Sequence, residues 1–478
     1  MILSLFLFFQ PPATSGLEAT LRKFTQVLSI AQQCAADPVN TENAIYQGAI
    51  PGMLRRLDPH SVFFDPGQFE QLKQMERSEQ KGFGTVVSIL PGRVVVLQAA
   101  QGTPSAKAGL TPGDEILAVN NIALNRLDAE QLIGYLSQAR QKTAYLIVRR
   151  PGDARLLQFT LNPELVDTPS VDRAFFIKPD IGFIRVNSWD PNTGRQLKEA
   201  IEKLGGDKLK GLVLDLRNNP GGVVQAALAG AALFLQPGQT ILSVKGRSIK
   251  GETADVPKLA RPYTFPLAVL INEKTASASE ILTGALQDHD RATVIGLPSY
   301  GKGLVQNVFN LTGNTGVALT TAFYYTPSGR SIQKPLRTGQ LEIELSKQEY
   351  KTDSGRIVRG GGGIQPDFIV QPEAPTRLRL ALDASGSLTG FSTEYLRHNK
   401  IADSFEVTPQ ILDQFQVFVA ERGIQPNVGE WVADRAWIQS RLTQEIVNQG
   451  LSVEKGDEVE AQRDPQVIAA VSKLLQYQ

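Results

Sequence analysis

The chain has 478 residues, 42% hydrophobic and 20% charged, the composition of a globular protein with room for two to four domains. Its 49 basic and 48 acidic residues leave a net charge of +1, and the basic ones are scattered, which argues against a nucleic-acid or anionic-membrane surface. A single cysteine, Cys34, excludes an internal disulfide and any cysteine-rich metal site; its expected place is a buried position in an amphipathic helix.

In chain order, ILSLFLFF at 2–9 is the one stretch with the character of a targeting segment. It is too short to span a bilayer but long enough for a signal-peptide core. No Lys or Arg precedes it and the following QPPATSG makes a poor cleavage site, so residues 1–16 read either as a signal peptide or as part of one. No other stretch has the length and apolarity of a transmembrane span. Residues 17–78 read as a helical segment: Leu17, Leu21, Phe24, Val27 and Leu28 recur at helical spacing, and DPHSVFFDP (58–66) ends the pattern. At 79–164 the period changes. Short strand-like runs at 85–90, 94–97, 115–119 and 144–149 surround one helix at 128–140, where Asp128 and Gln131 form a capping box, and Pro-Gly turns punctuate them.

From 165 to 373, strands alternate with helices, which predicts a parallel or mixed sheet covered by helices. The strands are expected at 181–186, 211–216, 267–271, 292–296, 304–309 and 316–325, and the helices at 192–204, 223–235 and from Ser277 onward. Residues 374–478 return to helices. Thr408-Pro409 is a cap-and-proline start, with Ile411, Phe415 and Phe418 on one face and Trp431 and Trp437 packing there. No chemistry is evident in that part.

Ser277 and Lys302 carry the functional argument. Each lies just beyond an apolar strand, where an α/β sheet presents its chemistry. SASE (277–280) is a capping box, so the serine hydroxyl has a bland role available at the helix start. Small neighbours (Ala278, Ser279, Gly284, Ala285) leave a nucleophile an uncrowded approach to a substrate, and a helix N-terminus favours developing negative charge. Residues 296–302 fit GxxxxGK, but Gly303 stands where a phosphate loop needs Ser or Thr, and a strand-like run follows instead of a helix. Lys302, between two glycines, reads as a partly buried amine. To act as a base it must be neutral, its pKa lowered from about 10.4 by desolvation. LDLRNNPGG (214–222) ends a strand and begins a helix, and its glycines let backbone N–H groups approach a substrate carbonyl closely. The three histidines, His60, His289 and His398, stand in no triad pattern; no GxSxG elbow and no HExxH metal spacing occurs. His289 reads as a structural or surface residue.

The order of these motifs resembles that of the C-terminal processing peptidases, serine peptidases with a Ser-Lys dyad and a PDZ domain. The matching stretches are GMLRRLDPHS (52–61), GFGTVV (82–87), GTPSAKAGLTPGD (102–114), LDLRNNPGG (214–222) and SASEI (277–281). ALQDH (285–289), GKGLVQ (301–306), TPSGRSIQ (326–333) and GIQPD (363–367) complete the set. The resemblance implies that Ser277 is the nucleophile, Lys302 the general base and Gln306 the residue that orients the lysine. The oxyanion donors fall on Gly221 or Gly222 and on the N–H of Ala278. It also implies a crotonase-like α/β peptidase core at 165–373, with an inserted β-rich PDZ domain at 79–164 and helical segments at both ends. Gly82, Phe83 and Gly84 match the PDZ loop that holds a peptide carboxylate. Across 302–306 an extended chain would separate the α-carbons by about 13 Å, so Gln306 reaches the amine only by the lysine's length or a bend at Gly303. Thr275, Ser299-Tyr300 and Phe323 depart from the usual family residues without removing a catalytic group.

The expected activity is therefore that of a serine endopeptidase cleaving proteins near their C-termini, without metal or other cofactor. Its partners would be protein substrates with exposed, apolar C-termini, with oligomerisation possible, and its location the cell envelope, periplasmic or exported. A catalytically inactive PDZ peptide-binding scaffold and a crotonase-like acyl-thioester enzyme are the alternative classes. Ser277→Ala separates the first from a peptidase, and coenzyme A binding would mark the second.

Overall fold

Uninterrupted apolar runs such as GLVLD and LAVLI make strands that are buried on both faces, and that property organises the larger part of the chain. The computed structural model describes residues 14–76, 80–90, 92–166, 168–247, 251–335 and 348–476; the apolar leader at 2–9 lies outside them. The chain divides into two units, one of residues 1–71, 306–321 and 336–339, the other of the remainder.

In the larger unit, a six-stranded sheet runs Val171–Lys178, Ile181–Val186, Gly211–Asp215, Leu267–Ile271, Ala292–Gly296, Phe368–Ile369. The first pair is antiparallel and the rest are parallel. Side chains alternate between two cores. Leu212, Leu214, Leu267, Val269 and Ile271 pack under the helices Thr193–Lys203, Val224–Ala231 and Ala278–Asp288. Val213, Ala268, Leu270 and Ile295 face Val467, Ala470, Val471 and Leu474 of the last helix, Pro465–Leu475. From sequence, that helix belongs to the separate extension expected at 374–478. Its apolar stripe instead closes the second face of the sheet, which would otherwise expose those four side chains. Each of the three larger ones, Val213, Leu270 and Ile295, is worth about 1.5–3 kcal/mol when fully buried.

A second sheet, ordered Thr85–Leu90, Arg93–Ala99, Glu115–Val119, Ala144–Arg149, Leu157–Leu161, forms the β-rich module, with the helix Ala129–Ala139 over its own core of Val94, Val96, Leu132 and Val148. The capping box of that helix is present: Gln131 N–H donates to Asp128 Oδ1 at 2.8 Å, and Asp128 N–H to Gln131 Oε1 at 3.1 Å. The strands Leu157–Leu161 and Val171–Lys178 have no counterpart in the sequence reading. The C-terminal helices bury Ile411, Phe415, Phe418 and Trp431 in a further core, with Trp437 packed against it.

In the smaller unit, the helix Thr14–Cys34 leaves Leu17, Leu21, Phe24 and Val27 exposed, and Cys34 at its end is exposed, not buried as its residue type suggested. The Pro-bounded break expected at 58–66 holds a short strand, Val62–Phe64, pairing antiparallel with residues 316–318. Among the described residues no helix is long and apolar enough to cross a membrane.

Candidate active site

The strand Leu267–Ile271 ends in a five-residue turn that delivers Ser277 to the start of the helix Ala278–Asp288. Ser277 sits at φ +56°, ψ −115°. A side-chain-bearing residue enters that region only at a cost of about 1–3 kcal/mol, so the surroundings must over-determine it. They do so through Glu280, which is fully buried. Its Oε2 accepts the N–H of Ser277 at 2.8 Å and that of Lys302 at 2.9 Å. Its Oε1 accepts Ser299 Oγ at 2.5 Å and the N–H of Gly301 at 2.7 Å. One carboxyl group thus ties the serine turn to the lysine loop. The Tyr324 hydroxyl repeats the link from the carbonyl side, donating to Lys302 O at 2.7 Å and lying 3.2 Å from Ser277 O. Sequence reasoning saw Glu280 only as half of a capping box; its contacts 19 to 22 residues downstream exist only in the folded chain.

Burial shapes the charges here. Desolvation lowers the Lys302 pKa below its ordinary value, and the neighbouring Glu280 carboxyl partly opposes this. Desolvation raises the Glu280 pKa against the pull of its four hydrogen bonds. Tyr324, buried, is held far above the usual tyrosine range and remains a donor. Both glycines around the lysine are required sterically. A Cβ at Gly301 would meet Lys334 Cγ at 2.7 Å, and one at Gly303 would meet the Gln333 nitrogen at 2.9 Å.

The turn 216–222 is bound to the serine turn at several points. Asn218 and Asn272 exchange hydrogen bonds, Ala276 N–H donates to Asn219 O at 3.0 Å, and Thr275 Oγ1 donates to Leu216 O at 2.8 Å. Gly221, at φ +98°, lies so close that a Cβ would stand 2.8 Å from Ala276 O and from Ser277 Cβ. Its N–H is already taken by Asn219 Oδ1 at 2.9 Å. Gly222, at φ +144°, is pressed against the Trp189 carbonyl, and no acceptor within the described protein takes its N–H. The same holds for Ala278. Of the four N–H groups that open the helix, those of Ser279, Glu280 and Ile281 bond back to Ala276 and Ser277 carbonyls, leaving that of Ala278. Ser279 is buried, accepting from Trp189 Nε1 at 2.9 Å, so it does not compete with Ser277.

Gln306 falls in the smaller unit, where its Nε2 donates to the His60 carbonyl at 2.7 Å. His289 is structural: Nε2 donates to Thr240 O at 2.8 Å, and Nδ1 lies 2.8 Å from Asp353. In the β-rich module, Gly82, Phe83 and Gly84 line the end of a groove of about 360 Å³ between the strand Thr85–Leu90 and the helix Ala129–Ala139. The strand is at the edge of its sheet, and Val87, Ile89, Ile133 and Leu136 make the groove apolar. Lys81 and Arg140 add positive charge to its lining.

Residues 180–339 match the model of peptidase family S41, and residues 95–150 match a PDZ domain. The carboxy-terminal-processing protease of Bartonella bacilliformis is 31% identical over 383 residues, covering 79% of this chain and 81% of that protein. The carboxyl-terminal-processing protease of Synechocystis sp. is 34% identical over 292 residues, 60% of this chain and 68% of that one. The chloroplastic carboxyl-terminal-processing peptidase 2 of Arabidopsis thaliana is 34% identical over 310 residues, 62% of this chain and 60% of that protein. With a family model, a PDZ match and relatives that span most of its length, the chain belongs to the carboxy-terminal processing proteases of peptidase family S41, and is a serine-type peptidase with a PDZ domain.

Proposed function

We infer that the protein cleaves other proteins near their C-termini, with Ser277 as nucleophile and Lys302 as general base. Neutral Lys302 accepts the Ser277 hydroxyl proton as the oxygen attacks a backbone carbonyl. The protonated lysine then returns that proton to the leaving amine, and water hydrolyses the acyl-enzyme by the same route in reverse. The N–H groups of Gly222 and Ala278 would hold the oxyanion, because the N–H of Gly221 is already spent on Asn219. Gln306 would orient the lysine.

The observation that carries this reading is the shared Glu280 oxygen, which brings the backbones of Ser277 and Lys302 together while burial lowers the lysine's pKa. The PDZ groove would capture the substrate tail as an added strand on Thr85–Leu90, its terminal carboxylate at Gly82, Phe83 and Gly84 and an apolar last residue among Ile89, Ile133 and Leu136. A location in the cell envelope would give it exported substrates, and self-association remains part of the proposal. The test incubates wild type, Ser277→Ala and Lys302→Ala with a folded protein bearing a disordered tail, apolar in one version and acidic in another, and reads products by mass spectrometry. Cleavage near the apolar tail by wild type alone is expected. Equal products from Ser277→Ala would sink the assignment, and tail-bound but uncut substrate with wild type would favour a scaffold.

A further inference from the structure

The last helix, Pro465–Leu475, covers one face of the sheet, but its N-terminal end makes contacts that a cover does not need. Arg217 stands in the turn that carries Gly221 and Gly222. Asp215 holds its guanidinium on one side, accepting from Nε at 2.9 Å and from Nη2 at 2.7 Å. The C-terminal segment holds it on the other: Nη1 donates to Asp464 Oδ2 at 2.6 Å and to Gln466 Oε1 at 2.9 Å. Arg217 and Asp464 are 18% and 19% exposed, so water screens the pair only partly.

Asp464 is itself fixed. As the N-cap of the helix, its Oδ1 accepts the N–H groups of Gln466 at 2.8 Å and Val467 at 3.1 Å, and Gln466 Nε2 donates to Val370 O at 2.7 Å. One helix back, Asp457 bonds Arg173 at 2.6 Å and Arg185 at 2.9 Å, so the segment also grips the neighbouring strand Ile181–Val186.

The turn needs restraint. Asn218, Gly221 and Gly222 have φ of +61°, +98° and +144°, and because glycine moves freely between this region and others, contacts on both sides are what select one conformation of the turn. The serine turn supplies one side, through Asn272 and Ala276. The Arg217 grip supplies the other. An oxyanion donor loses its value when displaced by a fraction of an ångström, because its hydrogen bond is aimed at a position occupied only in the transition state.

We propose that Asp464 is a positioning residue for the oxyanion turn, so that the final helix of the chain is part of the catalytic apparatus. This rests on the reading of Gly222 and Ala278 as donors. Asp464→Asn preserves the cap acceptor and the shape but presents an amide group to the guanidinium. With a fluorogenic peptide ending in an apolar tripeptide, it is expected to lower kcat about tenfold, leave KM within about twofold and barely move the thermal midpoint. Asp464→Glu should regain part of the loss. Arg217→Ala combined with Asp464→Asn should be no slower than Arg217→Ala alone, since both break one linkage. Unchanged kcat in Asp464→Asn, or losses that multiply in the double variant, overturns the inference while leaving the peptidase assignment intact. Wild type no faster than Ser277→Ala would instead remove the assignment, and this inference with it.

Discussion

Glu280→Gln is the sharpest perturbation of the site, because it keeps the shape of the side chain and changes only charge and hydrogen-bond inventory. In the native protein each carboxylate oxygen accepts from two donors, Ser277 and Lys302 on one side, Ser299 and Gly301 on the other. An amide has one accepting oxygen. Its best orientation keeps that oxygen on the Ser277 and Lys302 N–H groups and turns the amide NH2 toward Ser299, whose oxygen then accepts it alongside the Ile364 N–H. The Gly301 N–H then faces a donor. One buried N–H left unpaired costs about 1–3 kcal/mol, which urea unfolding measures. The electrostatic consequence is separate. Glu280 raises the Lys302 pKa against the stronger lowering by burial, so removing its charge lets the lysine pKa fall further. The base works neutral, so activity climbs as pH rises through that pKa. The rising limb of kcat/KM should therefore move to lower pH in the variant, even though its maximum falls. Peptide cleavage followed between about pH 6 and pH 10 reads the shift. A limb that stays in place, or moves to higher pH, would refute the electrostatic reasoning and place a protonated Glu280 in the folded enzyme.

Two further outcomes follow from the geometry. Gly221→Ala puts a methyl group 2.8 Å from both Ala276 O and Ser277 Cβ at a φ of +98°. It should lower kcat by about 100-fold or more, the scale of a lost oxyanion donor, with little effect on tail affinity measured by fluorescence anisotropy. Arg330 and Asp288 form an ion pair at 2.7 Å with each side chain 1% exposed. Arg330→Met should cost about 3–5 kcal/mol in urea unfolding by stranding the buried carboxylate, and adding Asp288→Asn should restore part of it.

What could be read from the chain alone was local. Apolar runs such as LAVLI and GLVLD announced buried strands, SASE a helix start, and GKG a lysine with no side chains beside it, because each signal lies within a few consecutive residues. That helices cover the sheet was legible too, but not which helices close its second face. The identity of the second cover, the helix Pro465–Leu475, depends on the chain returning to strands far back in the sequence, which no periodicity encodes. The same limit hid the site's internal wiring. Glu280 looked like no more than half of a capping box, Gly221 and Gly222 looked equivalent, and residues 374–478 looked inert. Tertiary structure decided that Glu280 joins two loops, that Asn219 consumes one glycine's N–H, and that Asp464 reaches Arg217. Hydrogen bonds between distant segments are set by where the backbone arrives, and that position is a property of the packed molecule, not of any stretch of sequence.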